Sequence, residues 1–334
     1  MNKKLLISLP GYAALAVLIA FLPAIFPGNY SLHILIMMGI NIILSTSVRT
    51  INLTGQMSLA QGGMMTVGAY ATTLLVINLG LNSWVALIIG GLLAALISFL
   101  IGFPFSRLKG IYFSMVTIFL AQMIITMTQE LRGLTRGSQG IYNIPKPDAI
   151  GIPGIFSIGI LKPTDFYYLL LVIIAVTLLV LYAVEKSRVG LTFRGIQQAD
   201  SLTESVGVNN TLYKVAAFSL GGFFAGIVGG YYAQYVAAIA PDTFGFLFAI
   251  YTIIYMVVGG SGSFIGPIIG AIILTLLPEI ARPLQQYMPF IFAVVLMLII
   301  FFMPEGLVGL PKKFKAMSKF FSKPRKEAGT EDHA

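Results

Sequence analysis

No Asp, Glu, Lys or Arg stands between Lys4 and Arg49, a gap of 44 residues, and none between Arg49 and Arg107, a gap of 57. Further uncharged gaps run from Lys214 to Asp242 (27), Asp242 to Glu279 (36) and Arg282 to Glu305 (22). A helix that spans a bilayer needs roughly 20 apolar residues. Several gaps hold one such span, and some hold two. Charged residues make up only 10% of the chain, against about 25% in soluble domains. The mean hydropathy is +0.90 and there is no cysteine. A soluble enzyme, a disordered chain and a disulfide scaffold are excluded on these grounds. The net charge of +9 suggests a nucleic-acid binder only while its location is ignored.

The pattern predicts an all-α polytopic membrane protein with about ten transmembrane helices. They lie near 6–26, 31–48, 56–78, 83–105, 110–130, 165–185, 212–236, 244–258, 266–281 and 286–303. Together they form one transmembrane domain over 1–310, followed by a basic tail at 311–334. The first span follows Lys3 and Lys4 as a signal peptide does. Its apolar stretch is longer than the roughly 7–15 residues of a signal core, so it reads as a retained anchor, with cleavage the alternative. Orientation follows from Lys and Arg. With ten spans and the N-terminus in the cytoplasm, 16 of the 21 basic residues fall inside and 5 outside. Both termini are then cytoplasmic.

Two hydrophilic interruptions differ in texture. The outer one, 131–164, is full of turn signals, from Thr135-Arg136-Gly137-Ser138-Gln139-Gly140 to Pro145, Pro147, Pro153 and Pro163. In the inner one, 186–212, Ile196, Ala199, Thr203 and Val206 recur at helical spacing. Arg194, Gln197, Asp200 and Glu204 lie mostly off that stripe, and Gly207 suits a helix end. This reads as a short amphipathic helix that either docks a partner, lies on the membrane or merely connects spans. The tail, seven Lys/Arg followed by Glu327, Glu331 and Asp332, reads as a solvated segment beside anionic lipid headgroups.

Polar, glycine-rich stretches inside spans need a reason, because unpaired backbone in lipid costs several kcal/mol. Thr54 to Gly63 holds Gly55, Gln56, Ser58 and Gln61. It is either a broken helix lining a cavity or a site of close small-residue packing. Gly259-Gly260-Ser261-Gly262 is a tight turn between two short spans. No Gly-Lys-Ser/Thr phosphate loop occurs, so any ATP is bound by another polypeptide. The Gly-x-Ser-Gly spacing at Ser261 also fits an intramembrane protease. That chemistry needs a base, and the two histidines, His33 and His333, are expected far away. Without Cys and with so few His, no metal site is expected. Ion-coupled transporters keep ionisable groups near the midplane. Here Glu130, Asp165, Glu185, Asp242 and Glu279 all sit at span ends. Gln56, Ser58, Gln61, Thr117, Gln122 and Thr126 would suit a path for a polar neutral or zwitterionic solute. Ordinary interhelical hydrogen bonding explains Thr117, Gln122 and Thr126 equally.

Taken in order, several motifs resemble one family over roughly 34–309. They include Gly55-Gln56-Met57-Ser58-Leu59, Gly68-Ala69-Tyr70, Arg107-Leu108-Lys109-Gly110-Ile111-Tyr112-Phe113 and Thr135 to Gly140. Ser187-Arg188-Val189-Gly190 follows, with Arg194, Ile196, Asp200 and Gly207-Val208-Asn209. Then come Tyr213-Lys214, Pro241-Asp242-Thr243-Phe244, Gly259 to Ser263 with Gly266-Pro267, and Pro304-Glu305-Gly306-Leu307. The chain is similar to the permease subunits of bacterial branched-chain amino acid ABC transporters, of the Liv type and its longer, LivM-like, permease. Gln197 and Gln198 stand where relatives often carry charge, and Gln61 where a histidine is common.

The resemblance implies a bacterial inner-membrane importer. It implies a second homologous permease, two cytoplasmic ATPase subunits and a periplasmic or lipid-anchored amino-acid-binding protein as partners. No cofactor is bound by this chain. The resemblance also implies ATPase coupling through Arg194, Ile196, Asp200, Glu204, Val206 and Gly207. The expected translocation path comprises Gly55, Gln56, Ser58, Gln61, Thr117, Gln122, Gly259, Gly260 and Gly262. The ten-span plan is similar to that of cobalamin-importer permeases, where spans two to five and seven to ten form an inverted repeat. Relatives that carry urea, short amides or other amino acids leave the solute open, and an ion-coupled transporter is the alternative mechanism.

Overall fold

The structure is a computed structural model that describes residues 28–152 and 156–280, with 21–23 and scattered positions between 286 and 309. The expected spans at 6–26 and 286–303 lie largely outside the described residues, as do the question of the N-terminal anchor and the tail at 311–334. The other eight expected spans are all helices. They are α1 (Asn29–Asn52), α2 (Gln61–Leu79), α3 (Ser83–Phe105), α4 (Ile111–Glu130) and α5 (Pro163–Lys186). After two short helices, α6 (Arg188–Gln198) and α7 (Asp200–Ser205), come α8 (Asn210–Val236), α9 (Phe246–Gly259) and α10 (Gly266–Ile280). Seven segments are long and apolar enough to cross a membrane, α9 counting with the turn before it from Pro241; α10 is apolar but shorter. The chain is thus an all-α polytopic membrane protein.

The 27-residue α8 is the axis of the bundle and packs against α1, α2 and α3. Lipid offers no hydrophobic drive to pull helices together, so close backbone approach has to supply the contact. Glycines make it here. A Cβ on Gly68 would collide with the Gly226 backbone, and one on Gly229 with the Met65 carbonyl. The same holds for Gly222 against Ser98 and Gly230 against Thr72. Large side chains fill the remaining space: Tyr231, Phe218 and Phe113 are fully buried in the same core. The Tyr231 hydroxyl donates to the Phe166 carbonyl at 2.8 Å, which ties α8 to α5.

The bundle has a basic end, carrying Arg49, Lys109, Lys186, Arg188, Arg194 and Lys214, and an opposite end that carries residues 131–152 and 156–160. That segment is more ordered than a run of turns. Strand β1 (Ile141–Tyr142) pairs antiparallel with β4 (Ala238–Ile239), Ile141 opposite Ile239. A second antiparallel pair joins β2 (Ile150–Ile152) and β3 (Phe156–Ile158). The Ser83 amide donates to Asp148 at 2.6 Å and the Trp84 indole to the Asp148 carbonyl at 3.1 Å, which fastens the segment to the start of α3.

The glycine contacts carry a direct test. Gly68→Val should cost about 3 kcal/mol through overpacking. Gly133→Ala, where no atom lies near the added carbon, should stay within about 0.5 kcal/mol. Thermal unfolding of the purified chain in detergent measures both.

Candidate functional site

Helix α1 brings Arg49 to the basic end with its side chain 1% exposed. An arginine cannot shed its proton, so the buried charge must be paired. Its Nη1 and Nη2 donate to Glu185 Oε2 and Oε1 at 2.6 and 3.0 Å, a two-pronged geometry that only a guanidinium offers a carboxylate. The remaining Nε donates to the Ser261 carbonyl at 2.9 Å. The ring of Phe264 lies 5.8 Å from the guanidinium carbon. Glu185, 6% exposed, also accepts from Arg194 Nη2 of α6.

Local sequence explains how α6 reaches Glu185. Glu185 lies in the last turn of α5, Ser187 breaks the helix, and its Oγ accepts from the Val189 amide at 3.2 Å to start α6. Gly190 then rests directly on Glu185, where a Cβ would strike the Glu185 carbonyl. Phe193 is buried against Leu53 and Ala217, and Ile196 is buried beside it in sequence on the same helix. The Gln197 amide donates to the Asn52 carbonyl at 3.1 Å. So α6 is fixed to the ends of both α1 and α5.

The expected continuous helix across 194–206 is instead two. Ala199 is extended, at φ −154 and ψ 85, and separates α6 from α7. The reason is Asp200. Lys214 Nζ reaches its two oxygens at 3.0 and 3.1 Å, Lys109 Nζ reaches Oδ2 at 2.9 Å, and the Asn210 amide donates to Oδ1 at 2.7 Å. Asn210 also donates to the Asp200 carbonyl at 2.6 Å. These bonds draw the chain off the helical path. The stripe therefore divides: Ile196 faces inward, while Val206 is 73% exposed and its neighbour Leu202 65% exposed. Glu204 is also exposed, and Gly207 ends α7 at φ +86. Burial alone would raise the Asp200 pKa, but the hydrogen bonds and charges of Lys109 and Lys214 outweigh it and hold the carboxyl below its ordinary value.

Residues 56–60 are not helical, and α2 begins only at Gln61. The free backbone groups are met by α4. The Ser114 hydroxyl donates to the Met57 carbonyl at 2.7 Å, and the Leu59 amide donates to Thr117 Oγ1 at 3.1 Å. Within the segment, the Ala60 amide donates to Ser58 Oγ at 3.2 Å. Gln56 and Gln61 are buried, and the Oε1 atom of each has no hydrogen-bond partner among the described residues. A buried acceptor left unpaired costs about 1–3 kcal/mol. Gly55, at φ +79, backs onto Gln197 of α6. Gln122 does not join this group; it is exposed on α4, on one stripe with Tyr112, Met115, Phe119 and Thr126.

Gly259 and Gly260 are buried in the α9–α10 turn, where Gly259 packs against Gly266, and Gly262 is exposed. The turn's Ser261 is occupied through its carbonyl by Arg49. His33 lies at the other end of α1, about 24 Å away by helical rise, with its Nδ1 2.9 Å from the Tyr235 hydroxyl. The two do not form a dyad. Sequence reading did not select Arg49, Glu185, Ser114, Lys109 or Lys214 for the site. A signal existed for Arg49, an isolated charge on the basic-end turn of an apolar helix.

A family described as the permease component of branched-chain amino acid transport systems matches residues 30–304. The chain is 28% identical over 299 residues to the high-affinity branched-chain amino acid transport system permease protein LivM of Escherichia coli K12, covering 84% of this chain and 68% of that one. The LivM protein of Salmonella typhimurium is 27% identical over the same coverage. No solved structure gives a significant match.

A depressed carboxylate pKa stabilises the fold above the ordinary Asp pKa and loses that contribution as pH falls through the folded value. Protection of residues 188–205 against proteolysis in the purified chain should therefore be level between about pH 8 and 5. It should fall only below about 3.9, the ordinary Asp value. Asp200→Asn should show the low protection at every pH.

Proposed function

The chain belongs to the permease-component family of branched-chain amino acid transport systems, and we propose that it forms one half of an ATP-driven import pathway in a bacterial cytoplasmic membrane. The observation that carries this reading is the family match over nearly all the spans, on a bundle whose basic end holds a folded, ion-paired segment. In this reading the basic end is cytoplasmic, in keeping with the positive-inside bias. A second permease subunit completes the path, two ATPase subunits supply ATP hydrolysis, and a binding protein outside delivers the amino acid.

Residues 188–207 act as the coupling segment. Phe193 and Ile196 anchor it to the bundle, and the Asp200 network sets the angle of α7. Leu202 and Val206, apolar side chains facing outward at the basic end, offer the ATPase a contact, with Glu204 and Gly207 beside them. Ile196→Asp would bury a charge and damage the fold, so it is a poor probe of coupling.

The path runs between the two permeases. The exposed stripe of α4 faces it: a polar Gln122 and Thr126 on a membrane helix are costly against lipid and suited to a solute or to a partner helix. Behind that stripe, Ser114 and Thr117 hold the irregular 56–60 segment, and the unpaired Oε1 atoms of Gln56 and Gln61 suit the ammonium group of a zwitterion. The Gly259–Gly262 turn lies at the cytoplasmic mouth.

Two measurements test this. Uptake of labelled leucine, isoleucine or valine into proteoliposomes should require the ATPases, the binding protein and ATP; uptake by this chain without any ATPase would overturn the reading. Leu202→Asp with Val206→Asp should reduce binding-protein-stimulated ATP hydrolysis at least about tenfold, the scale of a typical intersite coupling, with membrane insertion intact.

A further inference from the structure

Glu185 is one carboxylate with two cationic partners of different standing. Arg49 is sealed in the protein and grips both oxygens. Arg194 belongs to the coupling segment, and its side chain is 44% exposed. Backbone contact runs in parallel with these charges, because Gly190 of α6 seats directly on the Glu185 carbonyl. Gly190 touches only the Glu185 backbone, so it is Arg194 that carries a displacement of α6 to the carboxylate held by Arg49.

Arg49 cannot let Glu185 go. Stranding a buried guanidinium is strongly destabilising, so Arg49 follows the carboxylate or the fold fails. What Arg49 holds on its other side is the Ser261 carbonyl at 2.9 Å. That carbonyl lies in the turn between α9 and α10, beside the exposed Gly262, which has no atom within 4 Å of where a Cβ would stand. The turn's other hydrogen bonds are short-range ones, Ser263 N to the Gly260 carbonyl at 3.4 Å and Gly266 N to the Ser263 carbonyl at 3.2 Å. They shape the turn locally; beside the Arg49 bond, the Phe264 ring of the turn also sits edge-on to Tyr182 of α5, with centroids 5.2 Å apart.

Resting on the importer reading above, we propose that Glu185 is a positioning residue that carries motion of the coupling segment, through Arg49, to the glycine turn at the cytoplasmic mouth. Arg194 is the input of this relay, the Arg49–Glu185 fork its fixed joint, and the Ser261 carbonyl its output. The relay explains why a charge is placed where burial is complete: an apolar contact of the same size would pack but would slip, whereas a two-pronged ion pair keeps its register under displacement.

The test uses the assembled importer in proteoliposomes and reads amino acid taken up per ATP hydrolysed. Arg194→Gln removes the input and leaves the buried fork untouched. It should lower that ratio about tenfold, in the range of typical coupling energies. Arg194→Lys, which restores a point charge without the fork, should recover part of it. A merely structural role for Arg194 would lower folded yield and leave the ratio unmoved. An unchanged ratio in Arg194→Gln overturns the relay while leaving the importer reading intact. Absence of ATP-dependent uptake by the unmodified complex would overturn the importer reading, and the relay with it.

Discussion

Arg49 carries a charge it cannot lose into a site with almost no access to water, and the basic end of the protein is arranged around that fact. Its three donor nitrogens end on Glu185 and on the Ser261 carbonyl. Those acceptors come from helix α5 and from the turn between α9 and α10. One side chain thus joins three parts of the bundle that are far apart in sequence. Helix α6 adds the fourth part through Arg194. Among the described residues no ion pair ties the middle of the bundle, where glycines set helix against helix without charge.

That division suits a transporter. Close-packed small residues along α2, α3 and α8 make a body whose interior has little room to rearrange. The two ends carry irregular backbone instead: the paired β1–β4 segment at one and the 56–60 stretch, the break at Ala199 and the glycine turn at the other. Irregular backbone at membrane depth survives only where protein meets its hydrogen bonds. Ser114 and Thr117 do this for 56–60, and Arg49 for Ser261. Side chains that satisfy such segments also determine how far they can travel.

Much of this architecture was legible from the uncharged gaps, because hydrocarbon imposes a length on every span and the described helices match it closely. The broken start of α2 was half legible: Gln, Ser and Gly at Gln56–Gly62 marked a departure from plain helix, but only the structure assigns its backbone partners. The coupling segment was read as one stripe because periodicity assumes an unbroken helix. Asp200 breaks that assumption through Lys109, before α4, and through Asn210 and Lys214 at the start of α8, two other places in the chain. Gln122 was grouped with Gln56 and Gln61 by chemistry alone, whereas its helix turns it to the opposite face. The Arg49–Glu185 pair, 136 residues apart, was invisible to any local pattern.

The absence of cysteine in the chain makes the central claim directly measurable. Spin labels placed at Gln198→Cys and Gly262→Cys, each in turn paired with one at Tyr142→Cys on the opposite end, report distances within a single permease of the assembled complex. On adding ATP, both distances to Tyr142 should change together, while the distance between Gln198 and Gly262 holds constant. A coupling segment that moves while Gly262 stays in place would contradict the account.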